Sequence, residues 1–232
     1  MCAIIGAILK QPTEADWENV KKVFLESSIR GLHATGASFL LHWNKGITTF
    51  IEPVPAEKFI KIHLEKSVKE FVNEDGNLYM IGHCRYSTSD LEYNQPIFND
   101  QYSIAHNGVL TQEMPERWND LYGYETKTKN DSELVLQCIT ANKSPLEEFP
   151  DSSMAVAELH YTKTLRFYRN GKRPIYFTHM PNGYIITSTE DIGFRSKLKP
   201  TPMPMSTYMT VSSDLTVNMK RVRSKNPDLQ NA

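Results

Sequence analysis

Cys2, Arg85, the pair Asn107-Gly108 and Asp131 are the residues whose types could do chemistry together. Cys2 follows the initiator Met. Removal of Met1, usual before a small residue, leaves a thiol and a free α-amine on one carbon. The amine has a reference pKa of about 7.7 to 8.0 and can serve as a base near neutral pH. This is the pairing of an N-terminal threonine with its own amine, with sulfur in place of oxygen. A buried structural cysteine fits the same apolar stretch, Met1 to Leu9, so the N-terminus alone leaves both readings open.

The other groups meet the needs of one kind of substrate. A free α-amino acid with a side-chain amide requires a cation for its carboxylate and an anion for its ammonium. Its amide carbon requires a nucleophile, and the developing oxyanion two donors. Arg85 suits the carboxylate through its planar fork, and Asp131 suits the ammonium. The Asn107 carboxamide and the Gly108 N–H can form an oxyanion hole, where glycine permits close backbone approach. Singly, each has an ordinary explanation: a surface ion pair, a turn dipeptide and a helix N-cap.

The elements that must position these groups follow from periodicity. Ala3 to Leu9 reads as a buried strand with the cysteine at its open end. Thr13 caps a helix expected to run to about Arg30, with Trp17, Val20, Phe24 and Leu25 as its apolar stripe. A hairpin is expected around Asn44-Lys45-Gly46, and a second helix over about Glu57 to Val72. Leu78 to Gly82 and Tyr102 to Ala105 read as strands that deliver Arg85 and Asn107 at their ends, and a third helix opens at Asp131. The last third is a run of antiparallel strands with turns at Asn170-Gly171 and Asn182-Gly183, and a short helix near Asp191 to Lys197. No βαβ alternation or phosphate-binding glycine loop is present, which argues against a nucleotide-binding sheet.

Composition bounds the rest. The chain has 232 residues with net charge −1, which gives no electrostatic footprint for nucleic acid or an anionic membrane. No apolar run is long enough to span a bilayer. Cys2, Cys84 and Cys138 are odd in number and lack metal-ligand spacing, so a reducing cytoplasm without disulfides is expected, with no metal and no cofactor. Residues 1–223 are expected to form one domain and 224–232 a polar tail.

Several motifs occur in a fixed order: Met1-Cys2-Ala3-Ile4-Ile5-Gly6, Arg30-Gly31 with Gly36, Gly82-His83-Cys84-Arg85-Tyr86-Ser87-Thr88, Asn94-Gln95-Pro96, Ala105-His106-Asn107-Gly108 and Asn130-Asp131-Ser132-Glu133. Together they resemble the class II, N-terminal-nucleophile glutamine amidotransferase domain, in the flavour of the amidophosphoribosyltransferase glutaminase. The resemblance extends from Cys2 to about Arg221. It implies an α+β fold, a four-layer α-β-β-α sandwich, and L-glutamine as substrate. It assigns Cys2 as nucleophile, Asn107 and Gly108 as oxyanion hole, and Arg85 and Asp131 as glutamine clamps. It also assigns Arg30 a place beside the nucleophile and Thr88 one in the glutamine pocket. Ala3 and Ser89-Asp90 depart from glycines of the family pattern, so limited backbone freedom or crowding at Cys2 and an altered loop are expected. His33, His83 and His106 are expected to be structural or to stand behind the reacting groups. The family's synthase segment does not follow here, which suggests a separately encoded ammonia acceptor docking over Leu91, Tyr93, Leu110 and Met114. Two rivals are another N-terminal-nucleophile amidohydrolase, acting on a different amide or a γ-glutamyl compound, and a catalytically silent glutamine-binding regulator.

Overall fold

The structure is a computed structural model that describes residues 2–87 and 92–222. In chain order the first half comprises β1 (Ala3–Leu9), α1 (Glu14–Ser27), β2 (Ala34–Leu40), β3 (Ile47–Glu52), α2 (Ala56–Phe59), β4 (Leu78–Arg85), β5 (Ile97–Phe98) and β6 (Tyr102–Val109). The second half comprises α3 (Trp118–Tyr122), α4 (Ser132–Thr140), α5 (Pro145–Glu148), β7 (Ser153–His160), β8 (Thr164–Arg169), β9 (Tyr176–Met180), β10 (Gly183–Thr187), α6 (Glu190–Arg195), β11 (Thr201–Pro202), β12 (Thr207–Val211) and β13 (Val217–Arg221). One antiparallel sheet has the order β11-β9-β10-β1-β4-β2-β3, and the other β13-β12-β8-β7-β6-β5.

Strand β1 is buried along its whole length, as a central strand covered on both faces must be. Successive side chains alternate across the pleat. Ala3, Ile5, Ala7 and Leu9 pack against Trp17, Val20 and Phe24 of α1. Ile4 and Ile8 face the opposite sheet, where Leu165 and Phe167 of β8 meet them. A third cluster seals α4 and α5 against the outer face of the second sheet through Leu134, Val135, Ile139, Leu146 and Val156. The result is the expected four-layer α-β-β-α sandwich. Cys2 continues the even-numbered series of β1, so its side chain belongs to the inter-sheet side at the strand's open end.

Several local expectations are corrected. Helix α1 stops at Ser27, and a turn through Gly31 follows, with its N–H on Ser28 O. The expected helix over 57–72 is broken into α2, a π-helical turn (Ile60–Leu64) and a 3-10 turn (Val68–Glu70). The Trp17 indole N–H explains the break, because it donates to Leu64 O at 3.3 Å and Lys66 O at 3.1 Å. Those carbonyls are thereby drawn out of helical pairing. Strand β4 runs on to Arg85, and β6 to Val109, so Asn107-Gly108 lies inside a strand and makes no turn. The tail 224–232 lies outside the described residues.

Phe167 fills the gap between the sheets and is 1% exposed. Phe167→Ala is expected to destabilise the fold by about 3–5 kcal/mol, the cost of an aromatic-sized cavity. Urea unfolding of the two proteins checks this.

Candidate active site

Cys2 is held at the end of β1 through its neighbours. On one side β1 pairs with β4, with Ala3 opposite Cys84. On the other it pairs with β10, whose ladder ends with Thr187 opposite Ile5. Past that point a side chain replaces the ladder. The Ser188 hydroxyl accepts Ile4 N–H at 2.7 Å and donates to Ile4 O at 3.4 Å. The Arg30 guanidinium then donates from Nε to Cys2 O at 2.9 Å. Burial draws the Arg30 pKa down, while the negative form of Cys2 opposes that and the Arg173 charge reinforces it. The methyl of Ala3 lies in the core under α1, so the expected crowding at the nucleophile does not arise.

Of the three cysteines, Cys2 alone is partly exposed. Burial pushes the thiols of Cys84 and Cys138 up to about 12, which keeps them protonated and inert. The Cys2 thiol points at Tyr86 O across 4.0 Å.

Beside it opens a cavity of about 360 Å³ whose walls include Cys2, Arg85, Gly108, Lys129, Asp131 and Ser132. Arg85 closes β4, and its Nη1 donates to Tyr93 O and Asn94 Oδ1, both at 2.7 Å. Tyr93 O also accepts Asn130 Nδ2 at 3.1 Å, which ties the segment behind Arg85 to the start of α4. Asp131 stands at the N-cap position of α4 but does not cap it. Its Oδ2 instead accepts Leu110 N–H at 2.6 Å, fixing the exit of β6. Gly108 adopts φ +156°, and a Cβ there would lie 1.7 Å from Ser153 O, so no other residue fits. Asn107, one residue earlier, shares the strand face of Ala105 and is not among the residues lining the cavity. It is 3% exposed, and its Nδ2 has no partner. Thr88 and the Ser89-Asp90 departure lie outside the described residues.

Three groups were not given roles by sequence reasoning, although their motifs stood out. Gln95 accepts His106 N–H at 2.6 Å and donates from Nε2 to Ser132 Oγ at 3.0 Å. Ser132 Oγ lies 2.8 Å from His106 Nδ1, and His106 Nε2 lies 3.3 Å from Ser153 O. A carbonyl can only accept, so Nε2 carries the proton and Nδ1 accepts from the serine. Glu133 is buried and accepts Lys127 N–H, Thr128 N–H and Thr128 Oγ1 at 2.8, 2.7 and 2.7 Å. It therefore shapes the loop that presents Lys129 and Asn130 to the cavity. A glutamate two residues past Asp131, in the Asn130-Asp131-Ser132-Glu133 motif, was the available signal. Of the histidines, His33 Nδ1 accepts Ser87 N–H at 3.0 Å, His106 lines the cavity, and burial lowers the pKa of His106 and takes that of His83 down to about 3. Among the described residues, no cluster of three or more His, Cys, Asp or Glu side chains could hold a metal. No described helix is long and apolar enough to cross a membrane.

The sequence matches no protein-family model, and no curated protein sequence matches it significantly. Solved structures do match. The glutamine phosphoribosylpyrophosphate (PRPP) amidotransferase of B. subtilis superposes with a TM-score of 0.72 at 16% identity, covering 95% of this chain and 49% of that one. An enzyme described as the allosteric regulatory enzyme of purine biosynthesis gives 0.68 at 16% identity, over 95% and 49%. The glutamine aminotransferase class-II domain protein of Silicibacter pomeroyi gives 0.59 at 12% identity, over 97% of this chain and 100% of that one. The fold is that of a class II glutamine amidotransferase domain. This chain spans about half the length of the first two neighbours and the whole length of the third.

The buried histidines of this domain make a pH prediction. Folding lowers the pKa of His83 and His106, so the unfolded chain binds more protons as pH falls below its own value of about 6.5. Stability is therefore expected to fall from about pH 6.5 towards the folded value of His83, about 3, by up to about 1.4 kcal/mol per pH unit for each histidine. Urea midpoints at pH 7 and pH 5 should show this, and His83→Leu should flatten the slope by about one proton's share.

Proposed function

We propose that this chain hydrolyses the side-chain amide of L-glutamine through an N-terminal cysteine thioester. The observation that carries the reading is the shared cavity in which the partly exposed Cys2 meets the Arg85 guanidinium, the Asp131 carboxylate and the Gly108 backbone. After removal of Met1, the Cys2 thiol attacks the amide carbon and its proton passes to the α-amine. Arg85 pairs with the substrate carboxylate and Asp131 with its ammonium, and Arg30 holds the Cys2 carbonyl so that the amine keeps its orientation. The tetrahedral oxyanion is held by Asn107 Nδ2 and Gly108 N–H. The partnerless Asn107 Nδ2 supports this, since a buried donor without a protein acceptor is costly unless a ligand uses it. Ammonia leaves with the proton held by the amine. Water then cleaves the γ-glutamyl thioester and restores the thiol, giving glutamate.

Free ammonia is mostly protonated in neutral water and no nucleophile. The reading therefore includes an acceptor enzyme that receives it in a shielded path, in the cytoplasm. The longer chains of the first two neighbours, one of them named as an amidotransferase, support an acceptor unit beside this fold. On the expected docking rim, Met114 is 64% exposed, whereas Leu110 is 7% exposed and belongs to the core, so Leu110 is removed from the rim. Leu91 lies outside the described residues.

Ammonia release from glutamine by the Met-processed protein tests the reading. Cys2→Ala should abolish it with the fold intact. Arg85→Ala and Asp131→Ala should chiefly raise KM, because they meet fixed charges of the substrate. Asn107→Ala should lower kcat by roughly 10²-fold, as loss of an oxyanion donor does. A folded, processed wild-type protein that binds glutamine without releasing ammonia would identify a silent regulator instead.

A further inference from the structure

One row of paired residues crosses the second sheet from β6 to its far edge. Asn107 stands opposite Ala155 of β7, and Ala155 opposite Arg169 of β8. Arg169 in turn faces Thr207 of β12, and Thr207 faces Arg221 of β13. Residues paired in this way lie on one face of the sheet. Leu165 and Phe167 of β8 and Met209 and Val211 of β12 belong to the inter-sheet cluster, and Val217 of β13 packs against it. Arg169, Thr207 and Arg221 lie an even number of residues from these, so they face the first sheet. With strands about 4.8 Å apart, Arg169 is two strands, roughly 10 Å, from Asn107.

The two arginines and Thr207 line a cavity of about 410 Å³, separate from the one at Cys2, whose opposite wall includes Pro202, Met203 and Met205. That wall is fixed in place. Pro202 pairs with Tyr176 of β9, Met203 N–H donates to Ile175 O at 3.0 Å, and Thr207 Oγ1 donates to Met205 O at 2.9 Å. Arg169 Nη1 donates to Arg173 O at 3.2 Å, but its Nε is buried without a partner. Among the described residues no carboxylate lines the cavity, and neither arginine is in an ion pair. Burial accordingly draws the Arg169 pKa down, opposed by Tyr176. Two guanidinium groups in one partly buried space, with no counter-charge, are costly until an anion joins them.

The two forks come from different strands, β8 and β13, with one strand between them. A carboxylate has a single charge and two oxygens in one plane, which one fork satisfies. A phosphate monoester carries nearly two charges at neutral pH and three acceptor oxygens around a tetrahedral centre, so two forks can bind it together. The methionine and proline wall suits an apolar body attached to that phosphate, because methionine side chains adapt to the shape beside them. We infer that the cavity between Arg169 and Arg221 is a binding site for a small phosphate monoester, with the phosphate on the two guanidinium groups and its apolar body against Met203 and Met205. The site is distinct from the Cys2 cavity and does not depend on the glutaminase reading.

Calorimetric titration of the full chain with phenyl phosphate, and separately with succinate, tests this. Saturable binding of one phenyl phosphate per chain is expected, with succinate weaker by about 10-fold or more. Arg169→Gln and Arg221→Gln should each weaken phenyl phosphate by about 10-fold or more, the loss of a charge-assisted hydrogen bond. Arg221 is exposed near the end of an edge strand, so its variant keeps the test open if Arg169→Gln fails to fold. Lys220→Gln removes the same charge from the other face of β13 and should change binding less than about two-fold. Absence of saturable binding by the folded chain would overturn the inference. So would succinate binding as tightly as phenyl phosphate, which would remove the phosphate assignment. An equal loss with Lys220→Gln would overturn it as well, since diffuse surface charge would then account for the binding.

Discussion

A cysteine proposed to act from the chain terminus must be held without using its own amine. Here the restraint comes from the carbonyl side and from the next residues along. Arg30 takes the Cys2 carbonyl, Ser188 brackets both polar groups of Ile4, and β1 is paired on both edges from there inward. A terminal residue normally frays, because it lacks a neighbour on one side to fix its dihedrals. The charge-assisted bond from a partly buried guanidinium is stronger than a neutral one. It costs the backbone of Cys2 no donor. Everything else in the candidate site is placed relative to that anchored end.

The second sheet supplies the opposing half, and its supports are polar and buried. Asn107 and Gly108 lie within β6, where the ladder to β7 sets their height against Ala155 and Met154. Behind them Gln95, Ser132 and His106 form a closed set of hydrogen bonds, and His106 is neutral because burial disfavours its charged form. A neutral His106 can keep one donor and one acceptor at once, as the Ser153 carbonyl and the Ser132 hydroxyl require. Protonation would turn its acceptor into a second donor and break the set. His83 is wholly buried with neither ring nitrogen in a well-formed side-chain hydrogen bond, and burial takes its pKa down to about 3, so the ring stays neutral.

Much of this was legible in the sequence, because the chemistry-bearing residues fall at ends of strands and helices whose apolar patterns are plain. That Ala3 to Leu9 is a buried strand with Cys2 at its open end follows from its apolar run, whereas the side on which Cys2 lies follows only from how the two sheets and α1 pack on it. What was not legible depends on tertiary partners. Trp17 breaks a helix 47 to 49 residues away by taking its carbonyls, which no local pattern of 57–72 reveals. Asn107-Gly108 has turn composition yet stays extended, since the ladder to β7 and the close approach of Ser153 O decide its conformation. Asp131 has the composition of an N-cap, but its carboxylate is drawn to Leu110 N–H instead. Leu110 was misplaced on the rim because a single apolar residue after a strand gives no sign of which way it turns.

The central claim is that the chain terminus at Cys2 is the acyl carrier. Acid quench of the processed protein during turnover with glutamine, followed by intact mass and peptide mapping, tests it most directly. The account requires a γ-glutamyl adduct on the N-terminal peptide beginning at Cys2, sensitive to hydroxylamine as thioesters are, and none on protein that keeps Met1. Turnover with no adduct at Cys2, an adduct on Cys84 or Cys138, or equal turnover by the Met1-retaining form would contradict it.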